Sequence, residues 1–91
     1  MKYRLGIKSS ASKSLEGISA PAQGRIDEKI LELESDPRPP GSRRLKSVRG
    51  KPWRLAVGDY RVIYTIDDKN RSVLVVKIDH RSEVYKRGLG N

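Results

Sequence analysis

Three cations, Arg54, Arg61 and Lys77, fall where one sheet face could gather them, and the chain's single histidine, His80, follows closely. All lie in WRLAVGDYRVIYTIDDKNRSVLVVKIDHRSEVY, from Trp53 to Tyr85. A guanidinium is a fixed charge with a planar fork of donors that matches phosphate oxygens. An imidazole is the side chain whose ordinary pKa lies near neutrality, which suits proton transfer as well as a plain structural role. Phosphate binding, with proton transfer close by, is therefore the chemistry to examine first.

Positioning those groups is the task of a predicted three-stranded antiparallel meander with a short polar tail. Trp53, Leu55 and Val57 alternate with Arg54 and Ala56. Gly58-Asp59 is a two-residue turn of type II′ character. A turn that tight sets Val57 opposite Tyr60, Ala56 opposite Arg61 and Arg54 opposite Ile63. Trp53, Tyr60 and Tyr64 then belong to the apolar face and read as core, not as a base-stacking platform. Around Asp67–Arg71, a loop with an odd number of residues puts Leu74, Val76 and Ile78 on that face and Lys77 beside Arg61. The expected sheet has one apolar face and one open face bearing Arg54, Arg61 and Lys77.

Composition bounds the rest. A chain of 91 residues makes one domain, 1–91, with a single core. It has no cysteine, so disulfides and thiolate metal sites are excluded, and one histidine excludes a multi-His metal site. No metal or cofactor is expected. No apolar run approaches a membrane span and MKYRLGIKSS lacks the apolar region of a signal peptide, so a cytoplasmic protein without a membrane partner is expected. Residues 1–36 hold six Lys/Arg and six Asp/Glu, which leaves the whole formal charge of +9 in residues 37–91. A basic half on a neutral half suits a polyanion, nucleic acid before membrane, or an acidic protein.

In chain order, Tyr3–Ile7 alternates as a first strand. Ser9 or Ser10 can cap a helix with Ala11, Leu15 and Ile18 on one side. Pro21 restarts a second helix that runs to about Glu34, with Ile26, Ile30 and Leu33 as its apolar stripe and its carboxylates on a solvated face. Asp36–Gly41 breaks the chain. Ser42–Pro52 reads as a basic connector whose Arg43, Arg44, Lys46, Arg49 and Lys51 could hold phosphates. The predicted class is α+β, two N-terminal helices on one face of a small, mainly antiparallel four-stranded sheet in the order β-α-α-β-β-β plus a tail.

The pattern L-K-x-x-R-G (Leu45–Gly50), W-R-L-x-V-G-D-Y-R-V-I-Y (Trp53–Tyr64) and V-x-K-I-D-H-R-S-E-V-Y-K-R (Val75–Arg87) resembles the RelE toxins of the RelE/ParE superfamily, over essentially the whole chain. That resemblance implies the toxin of a toxin–antitoxin pair that cuts mRNA in the ribosomal A site and is silenced by a RelB-like antitoxin wrapped around it. ParE-like members share the fold and poison DNA gyrase, so a gyrase inhibitor, or a toxin homologue of weak catalysis, is the alternative.

Metal-free RNA cleavage needs a base for the 2′-OH, cations for the charged phosphorane and an acid for the leaving 5′-oxygen. On the resemblance, Arg61 in the Tyr-Arg-Val-Ile-Tyr strand stabilises the transition state. Arg54 stands where RelE has the first of two lysines and, being no base, positions or stabilises. Ala56 replaces the second, so a group proposed for proton transfer is missing. His80 is the obvious substitute, Arg81 would neutralise phosphate, and Tyr85 would stack on a base or orient it. Glu83 suits a base or a surface ion pair equally. Lys77, Lys86 and Arg87, with the basic connector, would hold RNA backbone through salt-sensitive contacts.

Overall fold

A computed structural model describes residues 2–85. The chain runs β1 (Arg4–Ile7), α1 (Ser9–Glu16), α2 (Ala20–Glu32), β2 (Ser42–Arg44), β3 (Trp53–Val57), β4 (Tyr60–Asp67) and β5 (Ser72–His80). The strands form one five-stranded sheet in the order β1-β5-β4-β3-β2. β1 joins β5 in parallel, and the remaining pairs are antiparallel. The α+β class and the two helices on one sheet face are as expected.

Lys8, in extended conformation, precedes α1 as its N-cap without a side-chain bond, so neither Ser9 nor Ser10 caps it. Pro21 occupies the first turn of α2, where its missing N–H costs nothing. α2 ends at Glu32, earlier than the apolar stripe suggests, and Leu33 N–H bonds back to the Ile30 carbonyl. Ala11, Ile26, Ile30 and Leu33 pack with Leu55, Val57, Val62, Tyr64, Val73, Val75 and Ile78 in one buried cluster. Each large aliphatic side chain removed from water there contributes about 1.5–3 kcal/mol.

The expected four strands become five because Ser42-Arg43-Arg44 pairs with Leu55-Arg54-Trp53. Two arginines in three residues hide a strand from any hydrophobic alternation, yet charge is what a sheet edge tolerates. The β3–β4 hairpin has the expected register, Val57 opposite Tyr60, Ala56 opposite Arg61 and Arg54 opposite Ile63, and Gly58 has the positive φ of 58° that the turn requires.

β5 departs from the reading of its sequence. Asp67 pairs with Ser72, so the connecting loop has an even number of residues, and Val73 and Val75, not Leu74 and Val76, enter the core. A bulge at Val76 then shifts the register, since Ile63 pairs with Lys77 while Tyr64 pairs with Val75. Beyond it Ile78 is buried with the core and Lys77 points the other way, as expected. The run Val73-Leu74-Val75-Val76 is apolar at every position, so alternation could not choose its phase.

Polar contacts fasten the segment after α2 to the sheet. The Tyr64 hydroxyl, fully buried, donates to the Pro37 carbonyl at 2.7 Å. Arg38 makes a two-pronged contact with Asp68 at 3.2 and 2.7 Å and stacks over Trp53 at 5.3 Å. Tyr3 donates to the same Asp68 carboxylate at 2.6 Å.

Candidate functional site

On the sheet face away from the helices, register builds two rows of side chains. Arg43, Arg54, Ile63 and Lys77 stand in line across β2, β3, β4 and β5. Ala56, Arg61 and Asp79 form the next row. With strands about 4.8 Å apart, Arg54 and Lys77 flank Ile63 at about 10 Å backbone to backbone. The three expected cations are thus brought together, and Arg43 joins them. Asp79 was not anticipated, although its two-residue spacing from Lys77 already placed both on one face.

This face is not fully open. Ile63 is fully buried there without belonging to the helix-side core, and so is Val84 of the tail. Lys77 Nζ donates to the Val84 carbonyl at 2.7 Å, which lays the tail against the Lys77 end of the row. Arg61 donates through one terminal nitrogen to the carbonyls of Gly58 (3.0 Å) and Tyr60 (2.9 Å). Arg54 Nε is buried and has no hydrogen-bond partner among the described residues. Such a donor costs about 1–3 kcal/mol while unpaired, and an anionic oxygen would satisfy it.

The tail sets its residues apart. His80 pairs with Tyr60, and so emerges on the helix side of the sheet rather than beside Arg61, with the two rings edge to face at 5.7 Å. Its two-residue spacing from Ile78 sets that direction. Arg81 is exposed, donates its N–H to the Asp59 carbonyl at 2.8 Å and holds Nε 3.6 Å from the Asp59 carboxylate. Tyr85 is 46% exposed, directly after the Val84 carbonyl that Lys77 holds. Asp79 Oδ1 accepts the His80 N–H at 2.9 Å.

The basic connector is dispersed. Arg44 lies opposite Trp53 on the other face and bonds the Lys51 carbonyl at 3.4 Å. Lys46, Arg49 and Lys51 are exposed in the loop after β2, at the sheet end away from the Gly58-Asp59 turn. Lys86 and Arg87 lie outside the described residues. The arrangement is a compact cation row under a tail, with more positive charge trailing along one edge. Among the described residues, no group of three or more His, Asp or Glu side chains could hold a metal ion. No described helix is long and apolar enough to cross a membrane.

Known proteins share this architecture. The chain is 43% identical to the toxin RelG of Mycobacterium tuberculosis over 46 residues, 42% of this chain and 53% of RelG, so that match spans about half of RelG's length. It is 26% identical over 88 residues to a Methanocaldococcus jannaschii protein named RelE1, covering 94% of this chain and 98% of that one. The crystal structure of the archaeal RelE–RelB complex from Pyrococcus horikoshii superposes with a TM-score of 0.80 at 27% identity, over 92% of this chain and all of that one. A family model described as the ParE toxin of type II toxin–antitoxin systems, parDE, matches residues 6–85. The chain therefore belongs to the ParE toxin family of type II toxin–antitoxin systems, as a RelE-like member.

Proposed function

We propose that this toxin is an endoribonuclease that cleaves mRNA in the ribosomal A site and so stops translation. The observation that carries the reading is the row Arg43-Arg54-Ile63-Lys77 with Arg61 alongside it, a sheet face rich in cations beneath a tail that carries an exposed tyrosine, Tyr85. In the reaction, the substrate 2′-oxygen attacks the adjacent phosphorus, the 5′-oxygen leaves, and the products are a 2′,3′-cyclic phosphate and a 5′-hydroxyl. Fixed charges carry most of that barrier, because the phosphorane gains negative charge as it forms.

Arg61 and Arg54 stabilise the phosphorane, Arg54 through the Nε that has no partner among the described residues. Arg61 exchanges the carbonyls of Gly58 and Tyr60 for phosphate oxygens, a stronger, charge-assisted pairing. Arg81 neutralises phosphate at the rim and Tyr85 stacks on or orients the base. Arg43, Arg44, Lys46, Arg49, Lys51 and Lys77 hold the RNA backbone. A RelB-like antitoxin is the proposed partner, supported by the likeness to a RelE solved with RelB. The same basic face would receive its acidic or amphipathic segment.

The test is primer extension on a defined mRNA in a purified translation system, with wild type and Arg61→Ala. The expected result is discrete cuts within A-site codons, reduced at least 100-fold in the variant, the scale of a lost transition-state donor. Intact mRNA at toxin concentrations that still arrest cells would overturn the ribonuclease reading and direct attention to DNA gyrase.

A further inference from the structure

We propose that His80 is a positioning residue, a helix-type N-cap that orders the tail carrying Arg81, Val84 and Tyr85, and that it does not move the proton. Four contacts carry this. The Ser82 backbone N–H donates to His80 Nδ1 at 3.1 Å, and Ser82 Oγ lies 2.8 Å from the same nitrogen. The His80 carbonyl accepts the N–H groups of Glu83 (2.9 Å) and Val84 (3.0 Å). A residue whose carbonyl takes the first helical bond while its side chain accepts the second N–H of the turn is an N-cap, with the imidazole nitrogen replacing the usual Ser, Asp or Asn oxygen.

The same contacts limit the ring's chemistry. A backbone N–H can only donate, so the neutral imidazole must leave Nδ1 unprotonated and carry its hydrogen on Nε2. Nδ1 has one lone pair, and both Ser82 donors, the backbone N–H and the hydroxyl, are directed at it. Nε2–H can donate but cannot take a proton from a 2′-OH. A protonated Nδ1 would meet the Ser82 N–H donor to donor and release the turn. Register also directs the ring toward Tyr60, on the face opposite Arg61. What the ring does control is the tail's path: the turn it caps places the Val84 carbonyl on Lys77 and sets Tyr85 next to it.

The activity half of the test rests on the ribonuclease reading, and the structural half does not. Asn at position 80 can offer its side-chain oxygen to the Ser82 N–H, as in an Asx turn, whereas Ala and Gln cannot at that reach. His80→Asn is expected to keep kcat within about twofold, and His80→Ala and His80→Gln to lose about fivefold, the weight of one cap. In a Tyr85→Ala background the His80→Ala loss should be smaller than in wild type, since Tyr85 is one of the groups the cap positions. Loss in His80→Asn equal to that in His80→Ala would overturn the proposal.

Amide hydrogen exchange and histidine ¹⁵N shifts decide the cap without RNA. Slowed exchange at Ser82 and Val84 in wild type and His80→Asn but not in His80→Ala, with neutral His80 protonated on Nε2, is expected. Equal exchange in all three, or a proton on Nδ1, would overturn the cap even if cleavage is confirmed. If wild type leaves mRNA intact, the ribonuclease reading falls and these measurements still judge the cap.

Discussion

The buried hydroxyl of Tyr64 shows how one atom fixes a segment. It donates to the Pro37 carbonyl and so ties the start of the α2–β2 connection to the middle of β4. Tyr64→Phe would leave that carbonyl without its partner and is expected to cost about 1–2 kcal/mol, measured by urea unfolding. Burial pushes the Tyr64 hydroxyl up to about 12. A folded value above the ordinary value near 10 means that the neutral form is favoured on folding. Its stabilisation is complete below pH 10 and is lost as pH rises from there through about 12. Tyrosinate absorbance should show Tyr64 ionising last, together with unfolding. Arg54 is the opposite case, a half-buried guanidinium whose Nε has no partner among the described residues, and that is a reason to place it at the site rather than in the scaffold.

At the scale of elements, the loop after α2 and the β4–β5 turn are clamped by one carboxylate. The Arg38 guanidinium, with the Tyr3 hydroxyl beside it, holds Asp68 well below the usual carboxylate range, at about 2. A depressed folded value contributes stability above the unfolded value near 4, and that contribution fades as pH falls from there through about 2. Asp68→Asn should flatten the acid limb of stability against pH over that window in thermal melts, while the neutral-pH change stays small because the group is exposed.

The elements also show what sequence patterns disclose. The β3–β4 register was legible because an apolar–polar alternation and a Gly-Asp turn agree on it. β2 was not, being three residues long with two arginines. The half-strand from Val73 to Val76 was not, because four consecutive apolar residues have no phase. Of the site, the cations of β3, β4 and β5 followed from that alternation, and the same spacing already set His80 with Ile78 on the face away from Lys77. The bulge that makes this phase compatible with buried Val73 and Val75 is announced by no local pattern. Asp79 was legible too, from its two-residue spacing to Lys77.

For the whole molecule, the division of charge predicts how it binds. The formal +9 lies entirely in residues 37–91, which include the cation row and the connector along the sheet's edge. Binding to a non-cleavable, 2′-deoxy-substituted RNA should weaken steeply with salt, log K falling with log salt at a slope of about −0.7 per phosphate contacted. Charge removal at Arg43 or Lys46 should flatten the slope by about one contact each, measured by fluorescence anisotropy, while substitutions at Lys13 or Lys29 in the neutral half leave it unchanged. In the sheet, β1 pairs with β5 and with no other described strand, Leu5 beside Val73 and Ile7 beside Val75. Lys77 and the tail follow directly on that pairing strand. The five-stranded sheet is complete only when β5 has paired with β4 on one side and β1 on the other, and it is the β4 pairing that brings Lys77 into the cation row. A polypeptide whose β5 has not yet docked therefore lacks both the Lys77 end of the cation row and the Lys77–Val84 contact that lays the tail against it.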